Sequence, residues 1–417
     1  MKEEIIAGLD IGSSEIRLVV AQRSNKDPEQ GLQVIGAVSS PTSGFNKGVV
    51  NSIEDTTASI SACIEKAERL VGVPISSAWV SVNDPNVRCE RSKGVVAVGK
   101  SDGEINEADI DRAIEAARSV AVPANYEILH VIPIKFTVDN QEDVKDPIGM
   151  SGIRLEVETL IILGLASQTK NLTKAIYRTG LDIEDLVLSP LAVGEAILSK
   201  KQKDLGAVVI NLGATTTSLA VYEEGNLLHS AILPLGSEHI TSDIAIGLRC
   251  PINLAERVKL DYGATEPDGI TKKEEVDLEA LAQEEEINDN LGKVSKKYIA
   301  EIIDARVEEI FSKVDEELKG IGRSGMLPVG TVLTGGGAQL QGLIESAKKY
   351  LRLPATMGYN RNLATVIDKV NQPEYSTALG LLGWASHYEG QTRASGLQKQ
   401  LNDSLNKLKG WFKKIAP

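Results

Sequence analysis

Two short apolar runs, residues 5–9 and 16–21, flank the polar turn Asp10-Ile11-Gly12-Ser13-Ser14. The same design returns as runs 207–210 and 218–222 around Asn211-Leu212-Gly213-Ala214-Thr215. Each unit predicts strand, tight turn, strand. Residues 330–334 form a further buried-strand run that ends in Gly335, Gly336 and Gly337, and residues 343–350 then take up helical spacing. Elsewhere Ile60, Cys63, Ile64, Ala67 and Leu70 predict a helix over 59–71 that stops before Pro74, followed by a strand at 77–82. A long amphipathic helix is predicted over 298–319 from Ile299, Ile302, Ile303, Val307, Ile310, Phe311, Val314 and Leu318. The last helix of the body is predicted over 378–388.

From residue 83 to about 166 the texture changes. Strands at 94–98 and 127–138 surround one helix, 107–119, with Asn106 as its N-cap. This predicts a small inserted α/β domain. Residues 167–200 read as helix, turn and helix, and the second hairpin opens a new half near residue 205.

Two segments stand apart. Residues 266–289 hold ten acidic and two basic side chains and predict a solvated helix or loop with no core role. Residues 389–396 are small and polar, a linker into a last segment, 397–417. There Leu397, Leu401, Leu405, Leu408, Trp411, Phe412 and Ile415 fall on one helical face, with Lys399, Lys407, Lys409, Lys413 and Lys414 on the other. Such a terminal helix ordinarily packs on its own body. The basic turns of an acidic chain, the adjacent aromatics and the linker favour instead a helix lying on an anionic membrane surface.

The 417 residues suffice for two or more domains with true cores. A formal charge of −13 and 4% aromatic residues disfavour a nucleic-acid partner. Three widely spaced cysteines, without a CxxC pair, read as reduced residues of a cytoplasmic protein. The acidic start shows no signal peptide, and no apolar stretch of eighteen residues is present.

The chemistry lies in the turns. Glycine lets backbone N–H groups approach a phosphate, and neighbouring hydroxyls add donors, so two facing hairpins form a clamp for a polyphosphate. The copies differ: Asp10 can hold a metal through water, whereas Asn211 carries no charge. Strand, triple glycine and helix N-terminus make a third anion-friendly element. Neither a Walker loop nor a GxGxxG fingerprint is present.

These residues closely resemble the FtsA family of bacterial actin-like division proteins over nearly the whole chain. The specific stretches are 8–14, Arg112 to Arg118, Glu127 to Pro133 and Asp146 to Glu156. The resemblance implies an actin-like ATPase fold of class α/β, with two lobes, duplicated nucleotide-binding cores and an inserted small α/β domain. It divides the chain into a first-lobe core (1–83, 166–203 and 358–388), the insert (84–165), a second-lobe core (204–260 and 318–357) and a smaller subdomain (261–317).

By resemblance, Gly12, Ser13 and Ser14 meet the phosphates of ATP and Asp10 the water shell of magnesium, while Gly213, Ala214 and Thr215 grip from the other side. Gly335, Gly336 and Gly337 match the adenosine turn. Glu256 and Lys259 match positions near the ribose and base, although an exposed helical pair also explains them. The implied partners are the C-terminal peptide of the tubulin-like protein FtsZ at the 261–317 subdomain, further copies of the chain through the insert, other division proteins, and the cytoplasmic face of the inner membrane at the division site. Leu401, Leu405, Leu408, Lys409, Trp411, Phe412, Lys413 and Lys414 would make the membrane contact.

Three departures from the family pattern stand out. Asn211 replaces an Asp, Ser189 a water-orienting Glu, and Glu15 a Lys, with Arg17 nearby. Losing both carboxylates implies a nucleotide-binding scaffold with at most weak ATPase activity. A pilus-assembly actin homologue and a small-molecule kinase of the same superfamily remain as rival readings.

Overall fold

A computed structural model describes residues 4–23, 32–99, 102–119, 122–271, 273–284, 291–361, 363, 365 and 367–392. The first hairpin forms as the alternation predicts: β1 (Glu4–Ile11) pairs antiparallel with β2 (Glu15–Arg23), which pairs with β3 (Leu32–Pro41). A two-rung hairpin, β4 (Phe45–Asn46) and β5 (Val49–Val50), leads into α1 (Ile53–Val71). This helix starts six residues before the predicted start at 59. Ser52 caps it by accepting from the Asp55 N–H, acidic Glu54 and Asp55 fill its first turn, and Gly72 closes it in the left-handed region. Strand β6 (Ser77–Val82) then runs parallel to β1.

The insert follows as β7 (Arg88–Ala97), α2 (Glu107–Arg118), β8 (Tyr126–Val138), β9 (Gln141–Val144) and β10 (Arg154–Leu165). Its sheet runs β7-β10-β8-β9, and α2 closes one face over Ile105, Ala113, Ala117, Leu155 and Val157. Asn106 caps α2 in a reciprocal box with Asp109. Strand β10, central in this sheet, has no counterpart in the predicted elements.

The chain returns through α3 (Ala166–Tyr177), β11 (Asp182–Leu188), α4 (Ser189–Ile197) and α5 (Lys200–Leu205). The expected helix, turn and helix over 167–200 therefore misses a strand. Ile183, Leu186, Val187 and Leu188 are buried in β11, which pairs parallel with β6 and passes directly into α4.

The second lobe repeats the first: β12 (Ala207–Leu212), β13 (Thr217–Glu223), β14 (Asn226–Leu233), α6 (Ser237–Leu248) and α7 (Ile252–Tyr262). The acidic stretch is not wholly solvated. Val276 in β15 (Glu275–Asp277), with Leu278, Leu281 and Ala282 in α8 (Leu278–Glu284), is buried in the second-lobe core. Four apolar side chains seat the segment while its described carboxylates face water. After β16 (Lys293–Ser295) come the long helix α9 (Lys296–Gly320), β17 (Gly330–Thr334), α10 (Leu343–Leu351), β18 (Ala355–Met357) and α11 (Ser376–Thr392). Helix α11 continues past residue 388 into the expected linker, and every membrane-contact residue named above lies outside the described residues.

The two main sheets have the same topology, β3-β2-β1-β6-β11 and β14-β13-β12-β17-β18, with matching antiparallel and parallel pairings. Helices α4 and α11 pack together between them in a core that joins residues of both lobes, among them Val19, Leu191, Val209, Leu379 and Leu382. This places the two hairpin turns on opposite walls of one cleft. No helix among the described residues is long and apolar enough to cross a membrane.

Candidate functional site

The cleft has a volume of about 560 Å³, within the range of ordinary ligand pockets. Its two hairpin turns close alike: Gly12 N–H donates to Glu15 O at 3.1 Å, and Gly213 N–H to Thr216 O at 2.9 Å. Cβ atoms on these glycines would lie 2.7 and 3.0 Å from the same carbonyls, so the tight turn explains both glycines. Asp10, next to last in β1, lies at the cleft wall, buried, with Oδ1 accepting from Ser81 Oγ at 2.7 Å. Burial raises its pKa, and the Ser81 bond and the nearby Arg17 charge oppose that shift.

The facing residue Asn211 also lines the cleft, and its Nδ2 donates to Thr377 Oγ1 at 3.3 Å. Gly335 has φ +89, and a Cβ there would stand 2.2 Å from Asn211 Oδ1. A Cβ on Gly337 would stand 2.7 Å from Leu212 Cγ. The triple glycine is thus not uniformly open. Its first and third members are needed for packing against β12, and only Gly336 meets nothing closer than 4.0 Å. A short 3-10 turn, Gly336–Gln339, separates the glycines from α10.

Glu256 and Lys259 are not an exposed pair. Lys259 is 8% exposed, and its Nζ donates to Glu256 Oε2 at 2.6 Å and to Thr241 Oγ1 at 2.8 Å, tying α7 to α6 at the cleft edge. All the residues assigned to the nucleotide by resemblance line the cleft except Thr215. Thr215 lies between the hairpins instead: its hydroxyl donates to Ser13 Oγ at 2.6 Å and accepts from the Lys47 N–H at 3.0 Å.

Sequence reasoning did not place Asn83, Ser237, Glu374 and Thr377 in the cleft, nor Arg17, which was noted only as lying nearby. Arg17 carries a signal, because the hairpin register sets it opposite Asp10. Glu374 carries none, since it arrives in a short 3-10 turn, Pro373–Tyr375, far along the chain. Ser189 is fully buried at the start of α4 and donates to Asn83 Oδ1. Among the described residues no three His, Cys, Asp or Glu side chains form a group that could hold a metal.

The family model described as "SHS2 domain inserted in FTSA" matches residues 85–163, and that described as "Cell division protein FtsA" matches residues 208–380. Cell division protein FtsA of Pseudomonas aeruginosa is 32% identical, covering 98% of this chain and 97% of its own. That of Borreliella burgdorferi is 35% identical over 99% of both, and that of Bacillus subtilis 36% identical over 92% of this chain and 83% of its own.

Among solved structures, a chain of the PilM-PilN type IV pilus biogenesis complex superimposes with a TM-score of 0.62 at 18% identity, covering 90% of this chain and 97% of its own. MreB5 of Spiroplasma citri bound to ADP gives 0.56 at 12%, covering 94% and 99%. These likenesses establish the actin-like fold. The near full-length identities go further, and the chain belongs to the FtsA family of cell division proteins.

Proposed function

We propose that this chain is a division scaffold that binds ATP with magnesium in the interlobe cleft, assembles with copies of itself through the insert, and tethers FtsZ to the cytoplasmic face of the inner membrane at the division site. The observation that carries the reading is the pair of identically closed hairpin turns facing each other, with open Gly336 and the Glu256–Lys259 edge beside them. That arrangement supplies backbone donors on both sides of a polyphosphate and a glycine wall for a nucleoside. Magnesium is commonly held by one or two carboxylates plus phosphate oxygens and waters. Asp10, a carboxylate lining the cleft, fits that mode through water. When bound, the ion would neutralise phosphate charge.

Scaffold is favoured over kinase by the state of the cleft carboxylates. Asp10 is held by Ser81, Glu15 by Arg17, Glu256 by Thr241 and Lys259, Asp261 by Arg257 and Glu374 by Gln339. Each has a hydrogen-bond or ion-pair partner, which supports the scaffold reading. The domain limits follow the resemblance, with the FtsZ terminal peptide on 261–317 and the basic amphipathic segment 397–417 on anionic lipid. Leu401, Leu405, Leu408, Trp411 and Phe412 would enter the headgroup layer while Lys409, Lys413 and Lys414 face its charge.

Co-sedimentation with anionic liposomes, with and without ATP, compares the full chain with one ending at Gly396. The reading expects lipid binding to be lost on truncation. Unchanged binding contradicts the tether.

A further inference from the structure

The insert branches from the first lobe at both of its ends, after β6 and before α3, yet it is seated on both lobes. On the first-lobe side, His130 of β8 accepts from the Leu188 N–H at 3.1 Å, where β11 passes into α4. On the second-lobe side, the Cys89 thiol of β7 donates to the Ser230 carbonyl of β14 at 3.2 Å. Lys145 Nζ donates to the Glu224 carbonyl, in the turn before β14, at 3.1 Å. Strands β7 and β9 are the two edges of the insert's sheet, and Lys145 follows directly on β9. The second-lobe contacts therefore come from opposite margins of the insert and form a two-point seat.

Apolar packing joins the same three bodies. Leu160 and Ile162 of β10 share one buried cluster with Leu188 and Leu191 of the first lobe and with Leu227 and Ile232 of β14. Close-packed contacts of this kind hold a discrete arrangement and do not stretch. The lobes are tied a second time at the cleft, where Thr215 bonds Ser13 and the Lys47 N–H. The two ties share no residue. Because its chain joins fix the insert to the first lobe, rotation of the second lobe about the α4–α11 core carries β14 away from Cys89 and Lys145.

We propose that the insert is a brace across the hinge, seated on both lobes so that opening of the cleft has to unseat it from β14. Coupling of this kind is reciprocal: whatever grips the insert in its seat holds the cleft closed, and whatever loosens the cleft frees the insert. Cys89 reports the seat. Burial pushes its thiol up to about 11, so reactive thiolate is scarce while the seat is closed, whereas a thiol released to water ionises near about 8.5.

The test is the alkylation rate of each cysteine in the full chain, read by peptide mass spectrometry, in the unsubstituted protein and in Thr215→Val. That substitution breaks the tie at the cleft, at a residue that bonds neither the insert nor β14. Cys63 is the control: it is 0% exposed in the first-lobe core, burial likewise raises its thiol to about 11, and unfolding of that lobe is needed to release it. Cys89 is expected to react at least about fivefold faster in the variant, the change in an opening equilibrium that one lost hydrogen bond brings. Its rate is expected to stay above that of Cys63 in both proteins, the mark of an opening short of global unfolding. Ser13→Ala, which breaks only one of the two bonds, is the milder second variant and is expected to move Cys89 in the same direction. A Cys89 rate unchanged by both substitutions overturns the brace, because the insert then leaves its seat without regard to the cleft. A Cys89 rate no higher than that of Cys63 in the unsubstituted protein also overturns it, because the seat is then lost only when the whole chain unfolds.

Discussion

The Thr215 hydroxyl donates to the Ser13 hydroxyl at 2.6 Å, joining the tips of two hairpins that lie 202 residues apart in sequence. The same oxygen accepts from the Lys47 N–H, so one side chain ties the second lobe to two loops of the first. Thr215→Val keeps the shape but breaks both bonds and leaves a backbone donor unpaired. A loss of roughly 1–3 kcal/mol is expected. Denaturant unfolding measures it, and Thr215→Ser, which keeps the hydroxyl, should stay close to the unsubstituted protein.

The glycines at 335 and 336 should respond in opposite ways. Gly335→Ala combines a left-handed φ with a clash against Asn211 Oδ1, and a cost of roughly 2–5 kcal/mol is expected. Gly336→Ala meets open space on the protein side, so its thermal unfolding should be nearly unchanged while its ATP affinity falls. Equal stability of both variants in a melting experiment would contradict the packing described for the triple glycine.

His130 links the insert to the cleft through β11. Its Nε2 accepts from the Leu188 N–H at 3.1 Å, its ring lies edge-on to Trp384, and burial lowers its pKa from 6.5 to about 4. A depressed histidine pKa means that the unfolded chain takes up the proton first. Stability from the neutral ring is therefore present above about pH 6.5 and lost as pH falls towards 4, a total of about 3 kcal/mol. Asp185 acts in the opposite sense, because burial raises its pKa to about 7 and folding gains as it protonates. The difference between unsubstituted protein and His130→Gln isolates the histidine. Denaturant unfolding at pH 7 and pH 4.5 should show that the unsubstituted protein loses more stability than the variant, and parallel profiles would contradict the assignment.

The hairpins, α2 with its cap and the long helix α9 were legible because each has a local signal: glycine between apolar runs, Asn106 before a periodic segment, or many turns of one apolar stripe. Strand β11 was not. Its sequence Asp182-Ile183-Glu184-Asp185-Leu186-Val187-Leu188 begins with strand alternation and then becomes an apolar run that passes into α4 without a turn residue, so period alone could not separate strand from helix. The acidic stretch misled for a different reason, since charge density concealed the four side chains that seat it in the core. In the cleft, glycine and hydroxyl positions were readable from the turns. Glu374 and Thr377 reach the same cavity only because α11 returns to pack on α4. That is a tertiary fact with no local trace.

The absence of charge at Asn211 and Ser189 leads to the most direct test. Asn211 donates to Thr377, and Ser189 is buried against Asn83, so neither position presents a carboxylate that could hold the metal or orient water. The decisive measurement follows ATP binding and phosphate release on one sample of the full chain with magnesium. The account predicts saturable binding with phosphate release far below the roughly 1 s⁻¹ at which ordinary enzymes begin. Turnover at an ordinary enzymatic rate, or no saturable binding, would contradict the claim that this cleft holds its nucleotide as a structural ligand.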